Sequence, residues 1–177
     1  HKNIGYLYDY YALKKSILGY DELHLYDVYT PITSTYDREF DYEEAKNIIL
    51  KVLDVFGEEY VNKVGEYLED RIIDVYPTTN KRTGGYSGGS YDTDPYILLN
   101  YKDKYNDMST LIHEMGHSMH SYYSRSYNEF QNSEYRIFVA EVASTVNELL
   151  LSHYMLETSG SKEEKLFILN NLMELYK

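Results

Sequence analysis

Two histidines four residues apart, with a glutamate directly after the first, stand in the segment LIHEMGHSMH (111–120). In an α-helix, positions i and i+4 share one face and lie about 6 Å apart along the axis, so His113 and His117 can bind one metal ion. This is the HExxH pattern, in which a helix supplies two zinc ligands and the glutamate, here Glu114, acts as a general base. Random order of the chain's six histidines and 17 glutamates would produce the pattern only about 0.02 times. The pattern therefore predicts a metal-binding helix.

The sequence around the pattern favours a helix that is buried on one side. Asn106 or Asp107 can cap its start. Gly116 costs about 1 kcal/mol inside a helix, so its presence predicts that a neighbouring element packs closely against it. The apolar residues that would bury the other side are Leu111, Ile112, Met115 and Met119.

A third ligand is available in the segment IFVAEVASTVNELL (137–150), where Glu141 follows His117 by 24 residues. Its sequence neighbours are almost all apolar. A carboxylate in apolar surroundings is costly unless it is paired or bound to a metal. We therefore expect His113, His117 and Glu141 to bind one zinc ion, with a fourth position open to water.

Two further residues are candidates for the surroundings of the metal. Glu148 lies two helical turns after Glu141 on the same face, where its carboxylate could accept the free N–H of a ligand histidine; a glutamate that faces solvent is an equal alternative. His120 lies three residues after His117, but the metzincin pattern requires glycine at this position and histidine in place of Tyr123. We interpret His120 as a packed or hydrogen-bonding neighbour.

Hydrophobic periodicity predicts a mainly α-helical chain with a small β-sheet. Helices are expected over residues 2–18, with Gly19 as the stop, over 41–57 with Asp41 as the cap, and over 58–70, 107–124 and 133–156. The last stretch, EEKLFILNNLMELYK, is also helical in pattern, whereas DELHLYDVYTPI is expected to be an extended linker. The sheet is expected within residues 72–101, around a glycine-rich connection. We divide the single domain into a helical segment, 1–70, and a segment with the sheet and the zinc-binding helices, 71–177.

Composition excludes several classes of protein. A net charge of −12 argues against nucleic acid as a partner, because phosphate binding requires clustered lysine and arginine. The chain has no cysteine, so disulfides and thiolate metal sites are excluded. No apolar run approaches the ~18 residues that a membrane helix needs, and the N-terminus lacks the order of a secretion signal. These features predict a cytoplasmic protein that does not bind membranes.

Both ends of the chain lie within helical patterns that lack capping signals. We therefore expect a fragment of a longer protein, truncated at both ends. Apolar helix faces without their partners would favour self-association of such a fragment.

Several segments together resemble a known family. HEMGHSMHSYYS, followed by IFVAEVASTVNELLL, is similar to the zinc oligopeptidases of the thimet oligopeptidase class, most closely to bacterial oligopeptidase F. The likeness continues upstream through LGYDELHLYD, DVYTPI and RIIDVYPTTNKRTGGYSGGSYDTDPYILLNY.

The resemblance implies a zincin-type catalytic core within a mostly helical, two-lobed peptidase that cleaves short peptides. It matches His113, His117 and Glu141 to the family's zinc ligands, and Glu114 to the glutamate that activates the zinc-bound water. Family members also place His and Tyr residues that stabilise the oxyanion well downstream of the third ligand, outside this chain. The isolated chain is therefore expected to hydrolyse peptides weakly or not at all.

Two alternatives remain open at this point. The chain can be a non-catalytic zinc-binding or scaffold module, or part of a thermolysin-like peptidase, which also uses HExxH and a later glutamate. The strand YILLNY could pair with an extended peptide if it forms an exposed sheet edge, although an ordinary core strand is an equal alternative. The glycines of TGGYSGG favour flexibility or close backbone approach over a phosphate site.

Overall fold

The structure, a computed structural model, describes residues 2–33 and 36–176. In this part of the chain it has six α-helices and three short strands. The helices are α1 (Ile4–Leu18), α2 (Tyr42–Leu53), α3 (Glu58–Glu69), α4 (Tyr105–Tyr127), α5 (Ile137–Thr158) and α6 (Lys162–Leu175). The strands are β1 (Ile73–Asp74), β2 (Tyr86–Gly88) and β3 (Tyr96–Leu98). The expectation of a mainly helical chain with a small sheet is confirmed.

The chain divides into two compact units, residues 37–154 and residues 1–36 with 155–177. Helix α5 begins in the first of these units and ends in the second. The division into segments 1–70 and 71–177 concerns parts of one domain and stays a prediction. Among the described residues, no helix combines the length and the apolar character that crossing a membrane requires.

The unit of residues 37–154 is built from two packed helices, the sheet and the long helix α4. Asp41 caps α2, as predicted, by accepting a hydrogen bond from the backbone N–H of Glu44 at 2.7 Å. The core of this unit is formed by side chains from α2, α3, α4, α5 and the segment of β3. Each of them is at most 2% exposed: Ile49, Leu53, Val64, Ile97, Leu99, Met108, Leu111, Ile112, Met115 and Leu151.

The order of the sheet is β1-β3-β2, with β1 parallel and β2 antiparallel to β3. The segment YILLNY therefore forms the central strand, and the expectation that it could offer an exposed edge is wrong. Its apolar residues alternate between the two sides of the sheet, and Ile97 and Leu99 are buried in the core. Strand β2, which lies in the glycine-rich connection, forms one of the two outer edges of the sheet.

The other unit contains α1, α6 and a short 3-10 helix at Leu25–Tyr29. Gly19 ends α1 in the left-handed conformation, with φ 69°, which confirms the predicted stop. Lys14 is only 1% exposed, and its Nζ donates to the carbonyl of Val28 and pairs with Glu174 at 3.2 Å. These contacts stabilise a charge that would otherwise be costly to bury.

Some predicted boundaries differ from the structure. The expected linker contains the 3-10 helix at Leu25–Tyr29. Five residues are too few to show a helical period in the sequence, so the helix was not predicted. The helix expected over 41–57 ends at Leu53 and continues as a 3-10 turn to Phe56. Helix α5 begins at Ile137 instead of residue 133, because Ser133 ends the 3-10 turn Phe130–Asn132. There its hydroxyl donates to the carbonyl of Phe130, and its carbonyl accepts from the hydroxyl of Ser124.

Candidate metal centre

Helix α4 carries the HExxH segment in its middle. Asp107 accepts hydrogen bonds from the backbone N–H groups of Lys102 and Lys104, at 2.9 and 3.0 Å, and so satisfies donors at the start of the helix. The helix begins at Tyr105 with Lys104 at the N-cap position, so Asn106 and Asp107 both lie inside its first turn and neither is the N-cap residue that was expected. The predicted apolar face is also confirmed, because its members are at most 1% exposed: Leu111, Ile112, Met115 and Met119.

Helix α5 approaches α4 most closely at Gly116. A Cβ atom at this position would lie 2.7 Å from the Cα of Ser144 and 3.0 Å from the carbonyl oxygen of Ala143. Next to this contact, the buried amide of Asn147 donates to the carbonyl of Ile112 at 3.1 Å. The close packing predicted from Gly116 is confirmed, and it fixes the position of α5 beside the two histidines.

Three side-chain atoms converge from these two helices. The Nε2 atoms of His113 and His117 are 3.1 Å apart, and the Oε2 atom of Glu141 lies 3.6 Å from the first and 3.8 Å from the second. A circle through three points at these separations has a radius of about 2.0 Å, which matches the ~2.0–2.2 Å of zinc–nitrogen and zinc–oxygen bonds. The three residues could therefore hold one metal ion.

Each histidine of the pair is held from α5. The Nδ1 atom of His113 lies 3.1 Å from Oε2 of Glu148, which is 17% exposed and also accepts a hydrogen bond from Ser109 at 3.2 Å. The imidazole of His117 hydrogen-bonds to the backbone of Ala140. The contact with Glu148 uses Nδ1 of His113 and leaves its Nε2 directed towards the other ligand atoms. The sequence indicated Glu148 for this position, but carried no signal for the backbone of Ala140.

Glu114 is buried against the sheet, with 7% of its surface exposed. The backbone of Ser87 hydrogen-bonds to its carboxylate, and its Oε1 atom lies 3.5 Å from where a Cβ atom of Gly85 would be. The glycine-rich connection therefore serves close backbone approach, which was one of its two expected uses. The sequence did not indicate the contact with Ser87, because it depends on the path of β2 along α4.

Burial and neighbouring charges shift the pKa values of this group in opposite directions. Burial raises the pKa of Glu114, against the opposing effects of His113 and of the Ser87 hydrogen bond. Burial lowers the pKa of His113, but the hydrogen bond and charge of Glu148, with Glu114 and Glu141, outweigh it and raise the pKa above its usual value. Burial and the charge of His113 lower the pKa of His117. A neutral His117 is the state that binds a metal.

The surroundings of Glu141 differ from the expectation. Its side chain is 45% exposed, and its neighbours Phe138 and Val142 are 81% and 54% exposed. The argument that Glu141 lies in a buried apolar environment is therefore wrong, although the carboxylate does converge with the histidines. The start of α5 is apolar on every side, so its sequence could not show which side faces the core.

His120 lies outside the group of three converging residues. Its ring stacks on that of Tyr135, with centroids 3.9 Å apart and an interplanar angle of 19°. Burial lowers the pKa of His120. The interpretation of His120 as a packed neighbour is confirmed.

The sequence and the helical fold match those of known peptidases. Residues 1–176 match the model of Peptidase family M3, and the chain belongs to this family. It is 47% identical over 174 residues to oligopeptidase PepF of Bacillus subtilis (strain 168), and 42% identical over 177 residues to an oligoendopeptidase F homolog of Lactococcus lactis subsp. lactis. The resemblance to the oligopeptidase F family is confirmed.

These matches cover 98% and 100% of this chain but only 26% and 29% of the two relatives, so the chain spans less than a third of their length. Solved structures of related proteins have the same fold over nearly the whole of this chain. A crystal structure from Chlamydophila abortus, described as that of a peptidase, superposes with a TM-score of 0.86 at 42% identity, over 97% of this chain and 29% of the other. Oligoendopeptidase-F from Enterococcus faecium gives 0.60 at 29% identity, over 99% and 23%.

Proposed function

We propose that this chain carries the zinc site of an oligopeptidase, and that the protein of which it is a part hydrolyses short peptides. The observation that carries the proposal is the convergence of His113, His117 and Glu141 at separations of 3.1 to 3.8 Å. Two imidazoles and one carboxylate are the donor set of catalytic zinc sites, which leave a fourth position open. Membership of family M3, with relatives named oligopeptidases, supports peptides as substrates.

In this proposal the two helices have different tasks. Helix α4 supplies two ligands, His113 and His117, and helix α5 supplies the third, Glu141. When bound, zinc lowers the pKa of a coordinated water and polarises the carbonyl of the scissile bond. Glu148 holds the imidazole of His113 in the orientation that directs its Nε2 to the ion.

Glu114 is the general base of the proposed reaction. Its carboxylate accepts a proton from the attacking water and later gives one to the leaving amine. In the metal-free chain, burial raises the pKa of Glu114 and so brings the proton affinity of the carboxylate closer to neutral pH.

Strand β2 is the element best placed to bind a peptide backbone. The N–H of Ile97 donates to Ile72 on the β1 side, so its neighbours Tyr96 and Leu98 direct their polar groups to β2. They pair there with Gly88 and Tyr86, which leaves the N–H and C=O of Ser87 directed away from β3. Glu114 occupies the N–H of Ser87, and its C=O can accept a hydrogen bond from a peptide that adds to this edge.

A non-catalytic zinc-binding module remains the second candidate. The same three residues could bind zinc in such a module, but structural zinc sites are built mainly from cysteine, which this chain lacks. Glu114 favours the peptidase, since a general base next to the ligands has no use in a purely structural site. Membership of family M3 leaves the thermolysin-like reading without support.

The test measures zinc content and peptide hydrolysis separately. His113→Ala should abolish stoichiometric zinc binding, whereas His153→Ala, at an exposed position on α5, should not change it. Glu114→Gln should keep the zinc and abolish hydrolysis of a quenched fluorescent peptide by the full-length protein. Zinc binding that survives His113→Ala contradicts the proposed site. If Glu114→Gln still binds zinc and still hydrolyses the peptide, the proposed role of the glutamate is contradicted.

A further inference from the structure

Ser144 lies on α5 directly beneath the proposed third ligand. It is fully buried, with 0% exposure, at the point where α5 meets Gly116 of α4. Its Oγ atom is 3.1 Å from Oε2 of Glu141 and 3.2 Å from the backbone carbonyl of the same residue. The hydroxyl thus contacts Oε2, the same oxygen atom that faces the two histidines.

The carboxylate is the better acceptor for the single hydroxyl hydrogen of Ser144. A hydrogen bond to an ionised group is roughly twice as strong as one to a neutral carbonyl. The backbone carbonyl, by contrast, is the usual partner of a serine inside a helix, and that contact alone would have only a local role. The additional contact with Oε2 distinguishes Ser144 from an ordinary helix serine.

Ser144 is buried, whereas the side chain of Glu141 is half-exposed. The hydrogen bond therefore joins a fixed hydroxyl to a carboxylate that could otherwise rotate. The side chain of Glu141 is 45% exposed, and no other hydrogen bond to its carboxylate is seen in the described residues. A half-exposed glutamate has several rotamers available, and ordering such a side chain costs conformational entropy. Ser144 cannot move in the same way, because its Cα is held against Gly116.

We propose that Ser144 is a positioning residue that holds the carboxylate of Glu141 towards His113 and His117 before the metal binds. The inference rests on the proposed zinc site. Part of the ordering cost of the third ligand is met during folding, so zinc binds more tightly than it would to a freely rotating glutamate. Groups that orient zinc ligands typically change metal affinity by about 10–100-fold.

The experiment compares two serine-to-alanine substitutions on the same helix. Ser144→Ala removes only the hydroxyl and keeps the close packing against Gly116. Ser152→Ala is the matched control, because Ser152 is also buried on α5 but contacts Tyr105 instead of a ligand. Zinc affinity is measured by competition with a chromophoric chelator, and thermal unfolding of the metal-free chain is measured in parallel.

Ser144→Ala should weaken zinc binding about tenfold or more, with little change in unfolding, and Ser152→Ala should leave the affinity unchanged. A double-mutant cycle tests whether Ser144 acts through Glu141. In the Glu141→Ala background, Ser144→Ala should have no further effect on zinc affinity.

Two results would overturn the inference: an unchanged affinity in Ser144→Ala, or an equal loss with and without Glu141. A wild-type chain that does not bind zinc would contradict the proposed function. A wild-type chain that binds zinc, with no effect of Ser144→Ala, would contradict only the role of Ser144.

Discussion

Glu148 contacts two side chains of α4, His113 at 3.1 Å and Ser109 at 3.2 Å. Because it pairs with the nitrogen of His113 that faces away from Glu141, it determines which nitrogen is left to bind a metal. Its role in the proposed site is therefore to select the tautomer of a ligand.

Removing the charge of Glu148 should weaken zinc binding. We expect Glu148→Gln to lower zinc affinity about tenfold, because the amide keeps one hydrogen-bond acceptor but no longer favours a polarised imidazole. Chelator competition measures the change. Glu157→Gln, at an exposed position on α5, is the control and should have no effect. Equal affinities of Glu148→Gln and wild type would show that the contact is only a surface ion pair.

The residues that carry chemistry were easier to predict from the sequence than those that hold them in place. HExxH determines its own geometry once it is helical, so His113 and His117 required no tertiary information. Ser144 and the backbone of Ala140 carried no signal, because their roles depend on how α5 is rotated against α4. Glu141 was expected on the ground of an apolar environment, whereas its neighbours Phe138 and Val142 are exposed.

Helix α5 is the element on which the candidate centre depends. It supplies Glu141, the residues that orient both histidines, and Ser144. Its position against α4 is fixed by the close contact at Gly116 and by the hydrogen bond of Asn147 to Ile112. A change in the distance between the two helices would therefore alter the contacts of Glu141 and Glu148 with the histidines together.

A methyl group at the helix crossing should separate the helices. Gly116→Ala places a Cβ atom 2.7 Å from the Cα of Ser144, a backbone atom that cannot give way unless α5 moves. We expect a loss of about 1–3 kcal/mol in the free energy of unfolding and weaker zinc binding. Denaturant unfolding and chelator competition measure the two effects.

Gly65→Ala on α3 is the matched control. Its Cβ would meet only Leu50 Cδ2 at 3.8 Å, an ordinary contact, so alanine should stabilise the helix by about 0.5–1 kcal/mol. If Gly116→Ala is as stable as Gly65→Ala and binds zinc normally, the crossing does not fix the position of α5.

The helices were predictable because their periodic patterns and caps are local. Asp41 and Gly19 marked their ends correctly. The sheet was harder, since the order of its strands depends on contacts between distant segments. The apolar segment YILLNY gave no sign that it would be central, and the glycine-rich connection gave little sign that it would supply the edge strand β2.

At the scale of the whole molecule, the chain's 23 tyrosines affect its stability in alkaline solution. Burial raises the pKa of Tyr42 and of Tyr60 to about 12. Burial also raises the pKa of Tyr10 in one unit and of Tyr67 and Tyr101 in the other. Both units therefore contain phenol groups that resist ionisation in the folded state.

Stability should fall as the pH rises above about 10. In that range the unfolded chain has lost phenol protons that the folded chain still holds, so the free energy of unfolding decreases with pH. Below pH 10 both states hold these protons and the effect vanishes. Denaturant unfolding between pH 8 and pH 11.5, with tyrosinate absorbance followed in parallel, measures the decrease.

Tyr42→Phe should reduce this loss, because phenylalanine keeps the ring contacts with Tyr76 and Tyr101 but has no proton to lose. Tyr6→Phe, at a position that is 76% exposed, is the control and should follow the wild type. A stability that stays constant up to pH 11.5 would contradict the prediction.

Helix α5 carries the proposed ligand Glu141, the tautomer-selecting residue Glu148 and the positioning residue Ser144. This arrangement has a practical consequence. Under the proposed site, the zinc content of a purified sample reports whether α5 is docked on α4. A substitution anywhere in the chain that loosens this docking should lower the ratio of zinc to protein before it lowers the helical signal in circular dichroism. Metal stoichiometry would then serve as a gauge of correct folding for any variant of this chain, without an assay of its substrate.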